Sequence, residues 1–298
     1  MALWQARRVK ELLITKHGWD QSRAQIKILK TKGDQIKGAL SQFGGKGLFT
    51  RELEDALIDG RIDLAVHSMK DVPTVGQDAL TIAAVLERED PRDAFISNGI
   101  ASVMDLPDSA MIGTASIRRR AQLSRLRPDV DFCLLRGNVG TRLEKLKTGA
   151  FDATFLACAG LKRLGQADVI TQAVPTDLML PAPAQGAIGI ELRKDDRPTR
   201  RAVEALNHQD TLLAITAERA FLNALDGSCR TPIAALAEFK EGTLSFRGEV
   251  IATDGSQHYD AQNNAPVTTV QEAFDLGYTM GQKVKADIGD IVLWDKAR

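Results

Sequence analysis

Lys70 and Asp71 set an ammonium and a carboxylate side by side in His67-Ser68-Met69-Lys70-Asp71-Val72-Pro73, directly after the apolar run 62–66. Outside the carboxyl end of a buried strand, where open α/β sheets bind ligands, such a carboxylate can exchange protons or stabilise a developing cation. A surface ion pair before a proline turn would use the same residues. A cationic set follows in Gly113-Thr114-Ala115-Ser116-Ile117-Arg118-Arg119-Arg120. Thr114 or Ser116 can cap a helix there, its free N–H groups offer an anion site, and Arg118 and Arg119 add guanidinium forks for carboxylates. A solvated basic helix start is the plainer alternative. Two more strand ends repeat the device, with Arg136-Gly137-Asn138-Val139-Gly140-Thr141-Arg142 and with Lys162-Arg163. Cations at three successive turns predict a cleft for a molecule bearing several carboxylates.

Cys133 and Cys158 lie inside apolar runs and read as core packing. Cys229 lies in the turn-like Asp226-Gly227-Ser228-Cys229-Arg230-Thr231-Pro232, where the neighbouring cation favours thiolate. An inert loop cysteine would look the same. Gly44-Gly45-Lys46-Gly47-Leu48-Phe49 lacks the Ser or Thr and the glycine spacing of a phosphate loop and reads as a lysine-bearing lid. The dinucleotide glycine fingerprint and the Gly-x-Ser-x-Gly nucleophile turn are both absent. His17, His67, His208 and His258 are scattered, with no metal-ligand spacing, so no metal is expected.

The chain has 298 residues, enough for two or three domains, with 44% hydrophobic and 26% charged residues, a globular composition. Basic and acidic residues balance at 39 each, and aromatics are only 5%, which argues against a nucleic-acid partner. An odd number of unpaired cysteines suits a reducing compartment. The first residues lack a signal peptide's apolar stretch, and no apolar run approaches the roughly 20 residues of a membrane span. A cytoplasmic protein that engages no membrane is expected.

The elements that must position these residues alternate. Short apolar runs at 26–29 and 62–66 flank a helix near 52–58; strands at 111–112, 130–135 and 153–156 lead into helices over 114–126, 139–146 and 159–164. That rhythm argues for parallel sheets covered by helices. The charged, proline-broken stretch 87–93 and a return near Pro181-Ala182-Pro183-Ala184-Gln185-Gly186 would be two crossings between two lobes around a cleft. Helices over 200–206 and 212–225, strands at 233–239 and 244–251 and a helix near 270–284 then suggest a small α+β unit. The expected division is residues 1–86 with 187–204, residues 92–180, and residues 209–298.

In this order, Gly44 to Phe49, Val66 to Pro73, Glu87 to Ala94, Gly113 to Arg119, Leu135 to Arg142 and Gly227 to Cys229 closely resemble the hydroxymethylbilane synthases, the porphobilinogen deaminases. The resemblance covers nearly the whole chain and is weakest over the last sixty or so residues. It implies two α/β lobes like those of periplasmic binding proteins around a cleft, a small C-terminal α+β domain and a monomer. It also implies a dipyrromethane cofactor on Cys229 through a thioether, and four porphobilinogen molecules joined head to tail before water releases the linear product. Asp71 would assist loss of ammonia, steady the resulting cations and manage protons. Ser68, Lys70, Asp71, Thr114, Ser116, Arg118, Arg119, Arg142 and Gln185 would hold the cofactor. Arg136, Arg142, Arg163, Lys46 and Phe49 would serve the substrate and the growing chain.

Family members carry a strand with an arginine and a serine before Ala2-Leu3-Trp4, so the resemblance also raises the expectation of a misassigned start or of a crippled enzyme. Ala115, Ala184 and Ser228 depart from usual residues without removing a charge. A non-enzymatic two-lobed carboxylate carrier shares the architecture, but it needs neither Cys229 nor Asp71.

Overall fold

The structure, a computed structural model, describes residues 1–29, 50–227 and 231–289. Lys46, Phe49 and Cys229, three of the expected site residues, lie outside them.

Helix α1 (Ala2–His17) buries Gln5, Val9 and Leu13, four residues apart on one face, and stops at Gly18, whose left-handed φ of 62° lets its N–H close on the Ile14 carbonyl. Helix α2 (Arg51–Ile58) buries Ala56 and Leu57. Strands β1 (Ala65–Ser68), β2 (Leu80–Val85) and β8 (Ile188–Arg193) form the first sheet in the order β1-β8-β2. Ile188, Ile190 and Leu192 of β8 pack with Val9 and Leu13.

Both pairings of that sheet are antiparallel, which corrects the expectation of a parallel sheet there. The strand between β1 and β2 comes from the returning chain, not from a local βα unit, so alternation along the sequence did not reveal its direction. Residues 25–29 carry no regular secondary structure.

The second sheet runs β5-β4-β6-β3-β7, from β3 (Asp93–Ser97), β4 (Met111–Gly113), β5 (Asp131–Cys133), β6 (Ala153–Ala157) and β7 (Gln172–Ala173). Helices α3 (Ile117–Leu126), α4 (Val139–Lys147) and α5 (Cys158–Arg163) follow β4, β5 and β6. Strand β4 is parallel to β5 and β6, as expected, whereas β3 runs antiparallel to β6 and β7. Phe95 and Phe155 pack in one cluster and Leu135, Leu156 and Leu161 in another, so hydrophobic clusters flank the sheet.

After α6 (Arg197–Glu204) and α7 (Gln209–Ala224), β9 (Ile233–Lys240), β10 (Thr243–Ile251) and β11 (His258–Pro266) form an antiparallel meander that α8 (Val270–Ile288) covers. Strand β11 was not expected, because Asp260, Gln262, Asn263 and Asn264 mask its pattern; as an edge strand it tolerates an exposed polar face. Helices α7 and α8 touch backbone to backbone: a Cβ on Gly277 would stand 1.9 Å from the Ala217 carbonyl oxygen. Among the described residues, no helix is long and apolar enough to cross a membrane.

Candidate functional site between the sheets

Strand β1 ends at Ser68 and tightens into one 3-10 turn, Met69–Asp71. Met69 is buried beside Gly189, where any Cβ would collide with its sulfur, so the turn cannot slide along β8. The Ser68 hydroxyl accepts a 2.8 Å hydrogen bond from Gln5 of α1. Asp71 faces solvent but stands in crowded protein. Burial raises its carboxyl above the ordinary value, opposed by Lys70 and then by His67, and the open side of the cleft moderates the push. Burial likewise lowers the Lys70 ammonium against the attraction of Asp71. Both shifts bring proton exchange closer to neutral pH.

The facing wall comes from the start of α3. Ser116 is the cap: its hydroxyl accepts from the Arg119 N–H at 3.4 Å, while the Thr114 hydroxyl accepts from the Ser116 N–H at 3.1 Å. Arg118 and Arg119 are both buried and both donate to Asp93, at 2.7 Å each, with their second heads on the carbonyls of Leu180 (2.6 Å) and Phe155 (2.7 Å). Asp93 is fully buried. Burial alone would raise its carboxyl, but the two arginines hold it well below the usual carboxylate range. Gln185 of the return crossing completes the group. Its amide donates to Asp93 at 2.9 Å and to the Pro91 carbonyl at 2.7 Å, and its oxygen accepts from Lys70 at 3.4 Å. One amide therefore ties the first lobe's lysine to the second lobe's acid.

Helix α7 closes the site from the third sheet's side. Glu218, with no exposed surface, accepts from Arg88 at 2.6 and 3.0 Å, from the Ala184 N–H at 2.5 Å and from the Ala237 N–H at 2.8 Å. Both crossings between the lobes are thus fastened to the third unit. Lys70, Asp71, Ser116, Arg118, Arg119 and Gln185 line one pocket of about 160 Å³ together with Leu222, Thr231 and Ile233. Thr231 directly follows the segment holding Cys229.

The other expected residues divide. Arg142 lies in the field of Arg119 and Arg136, and burial with those like charges lowers its pKa; the three form one cationic neighbourhood. The third strand end behaves differently. Arg163 donates to the Gly186 carbonyl at 2.6 Å and Lys162 bridges Glu89 and Asp90 at 3.2 Å each, so this pair braces the crossings and is absent from the pocket wall. Sequence reasoning missed Asp93, placed in a hinge, and also Arg88, Glu218 and Arg219. An acid opening an apolar strand was the available signal for Asp93; for the others, helix periodicity does not say what a buried charge meets. Cys158 is buried in the core, as expected, its thiol pushed up to about 11 chiefly by burial.

A mixed α/β protein of three sheets, with a charged pocket where they meet, is the class that fold and site define. The family model described as "Porphobilinogen deaminase, dipyromethane cofactor binding domain" matches residues 1–201, and "Porphobilinogen deaminase, C-terminal domain" matches residues 212–286. A porphobilinogen deaminase of Paracoccus denitrificans is 47% identical over 292 residues, spanning 97% of this chain and 93% of the relative. That of Geobacter sulfurreducens is 45% identical over 294 residues, spanning 98% and 91%. The chain belongs to the porphobilinogen deaminase family. Among solved structures it is similar to the periplasmic VFT2 domain of Bordetella pertussis BvgS (15% identity, TM-score 0.39, 67% of this chain and 75% of that one). It is also similar to an arginine-specific periplasmic binding protein of Salmonella typhimurium (12%, 0.38, 67% and 79%).

Proposed function

We propose that this chain joins porphobilinogen molecules in the pocket between its sheets, on a dipyrromethane primer carried by Cys229, with Asp71 as the carboxylate that handles protons. By its family the chain is a transferase, a hydroxymethylbilane synthase of tetrapyrrole biosynthesis with a dipyrromethane cofactor. What carries the residue assignment is the pocket wall, where Asp71 and Lys70, the capped start of α3 and Thr231 converge. Thr231, which lines the pocket, follows Cys229 by two residues in the sequence.

The residues present fit the primer. The Arg119 Nε is buried with no hydrogen-bond partner among the described residues, and Lys70, Arg118 and Arg119 outnumber the carboxylates Asp71 and Asp93 around the pocket. A ligand bearing carboxylates supplies both the acceptor and the negative charge. Lys70, Ser116, Arg118, Arg119 and Gln185 would hold it, with Ser68, Thr114 and Arg142 behind them and Arg136 and Arg163 toward the growing chain. When bound, the primer supplies a nucleophilic pyrrole carbon and a covalent anchor.

The substrate's ammonium departs as ammonia and leaves a positive charge on its pyrrole. The Asp71 carboxylate stabilises that charge, then accepts the proton a ring carbon sheds once the carbon–carbon bond has formed. The Lys70 charge beside it favours the ionised form of Asp71 against the pull of burial. The three-domain division at 1–86 with 187–204, 92–180 and 209–298 is supported by the three separate sheets.

Intact mass of the purified protein, followed by peptide mapping, tests the assignment. A dipyrromethane increment on the Cys229 peptide, absent in C229S, is expected. A mass that stays unmodified after incubation with porphobilinogen would count against it.

A further inference from the structure

The turn bearing Lys70 and Asp71 is held from the third sheet's side by one side chain. Arg219 of α7 donates from Nη1 to the carbonyls of Met69 (3.3 Å) and Val72 (2.8 Å), and from Nη2 to that of Pro73 (2.6 Å). These carbonyls bracket Lys70 and Asp71 on both sides. Beneath the same turn, Met69 and Val72 pack with Leu212 and Ile215, one or two helical turns earlier on α7. The guanidinium is mostly buried and ends on backbone oxygens; Glu191, paired with His67 at 3.0 Å, attracts it from beyond salt-bridge range. A planar fork with fixed N–H directions is pre-organised for three carbonyls spread along the turn, a match that a flexible ammonium reproduces less well.

The same helix leads to the other reactant. Leu222, one turn after Arg219, lines the pocket, and the chain passes from α7 through Gly227 to the segment containing Cys229 before Thr231 lines the pocket again. Glu218, the preceding residue, holds the crossings. The turn bearing the proposed carboxylate and the pocket wall at Leu222 thus rest on one helix.

We infer that Arg219 is a positioning residue for catalysis: it fixes the Lys70-Asp71 turn onto α7, the helix that also supplies Leu222 of the pocket wall, and so sets where the Asp71 carboxylate stands in the pocket. The inference rests on the proposed role of Asp71. Arg219 is not among the residues that line the pocket and acts through backbone geometry, so its loss should affect turnover more than binding. Misplacement by about 1 Å is enough to lower a rate on the order of 100-fold.

Steady-state kinetics with porphobilinogen, over a pH series, test this in the full-length protein carrying its primer. Arg219→Met is expected to lose roughly 10- to 100-fold in kcat with KM within about threefold and to keep the dipyrromethane mass increment. Arg219→Lys is expected to recover only part of the loss, and the pH profile of both should move because the surroundings of Asp71 change. Should Arg219→Met fail to fold, Arg219→Lys decides alone, since it keeps the charge but loses the fork. Wild-type kcat and an unmoved pH profile in a folded Arg219→Lys, or in a folded Arg219→Met, would overturn the inference. Asp71→Asn separates it from the underlying reading: full activity in Asp71→Asn removes the role of Asp71 itself, whereas an inactive Asp71→Asn beside an unperturbed Arg219→Met removes only the role of Arg219.

Discussion

Arg88 forks onto Glu218 at 2.6 and 3.0 Å, joining the first crossing between the lobes to the interior of α7. The carboxylate is fully buried and two backbone N–H groups share it, so both lobes and the third sheet depend on one anion. Glu218→Ala strands the Arg88 guanidinium and both amides. A loss of about 3–5 kcal/mol is expected, the usual penalty for breaking one side of a buried pair, read as a lower midpoint in urea unfolding. An unchanged midpoint would mean that the crossings are held elsewhere.

Asp93 makes acid stability its own measurement. Its folded carboxyl sits below the ordinary value, so its stabilisation is complete above the unfolded-chain pKa of about 4 and is lost as pH falls through the lower folded value. Asp93→Asn leaves Arg118 and Arg119 facing a neutral group and should be several kcal/mol less stable at pH 7. The gap between the two proteins should narrow below about pH 4. Denaturant titrations at pH 3, 5 and 7 check both the size and the sign.

Asp71 carries the opposite sign. A raised carboxyl binds its proton more tightly in the folded chain, so its contribution to stability declines as pH climbs from the unfolded value toward the folded one. Asp71→Asn should therefore be as stable as the parent at pH 7 or more so. Its kcat should fall by at least about 100-fold, the lower range for removing an acid–base group. Thermal melts beside porphobilinogen turnover separate the two effects; a variant both inactive and clearly less stable would contradict the placement.

Gly277 and Gly281 let α8 lie against α7. A methyl at Gly277 meets the Ala217 carbonyl, and one at Gly281 meets the Ala224 side chain and the Phe221 backbone. Gly277→Ala should destabilise the protein by about 1–3 kcal/mol, as overpacking does. Because α7 also carries Glu218 and Arg219, turnover should fall with it. A melting temperature unchanged from the parent would show that the helices can part without consequence.

The sequence by itself determined the local devices. Apolar runs ending in polar turns located β4, β5 and β6 and the helices after them, and a hydroxyl three residues ahead of Arg119 foretold the capped start of α3, because strand burial and capping act over a few neighbouring residues. The order of the motifs, from Gly44 to Cys229, identified the family. Only the tertiary structure decided which charges meet. Arg118 and Arg119 read as ligand forks, and each also spends one head on Asp93; Arg163 read as serving the growing chain, and it also donates to the Gly186 carbonyl; Arg219 showed no signal at all. The direction of β8 was equally hidden, since a strand that returns from another lobe takes its pairing from the crossing and not from its neighbours in sequence. Periodicity reports which face of an element is buried, whereas a buried charge is set by partners 25 to 150 residues away, and that information exists only once the chain has closed on itself.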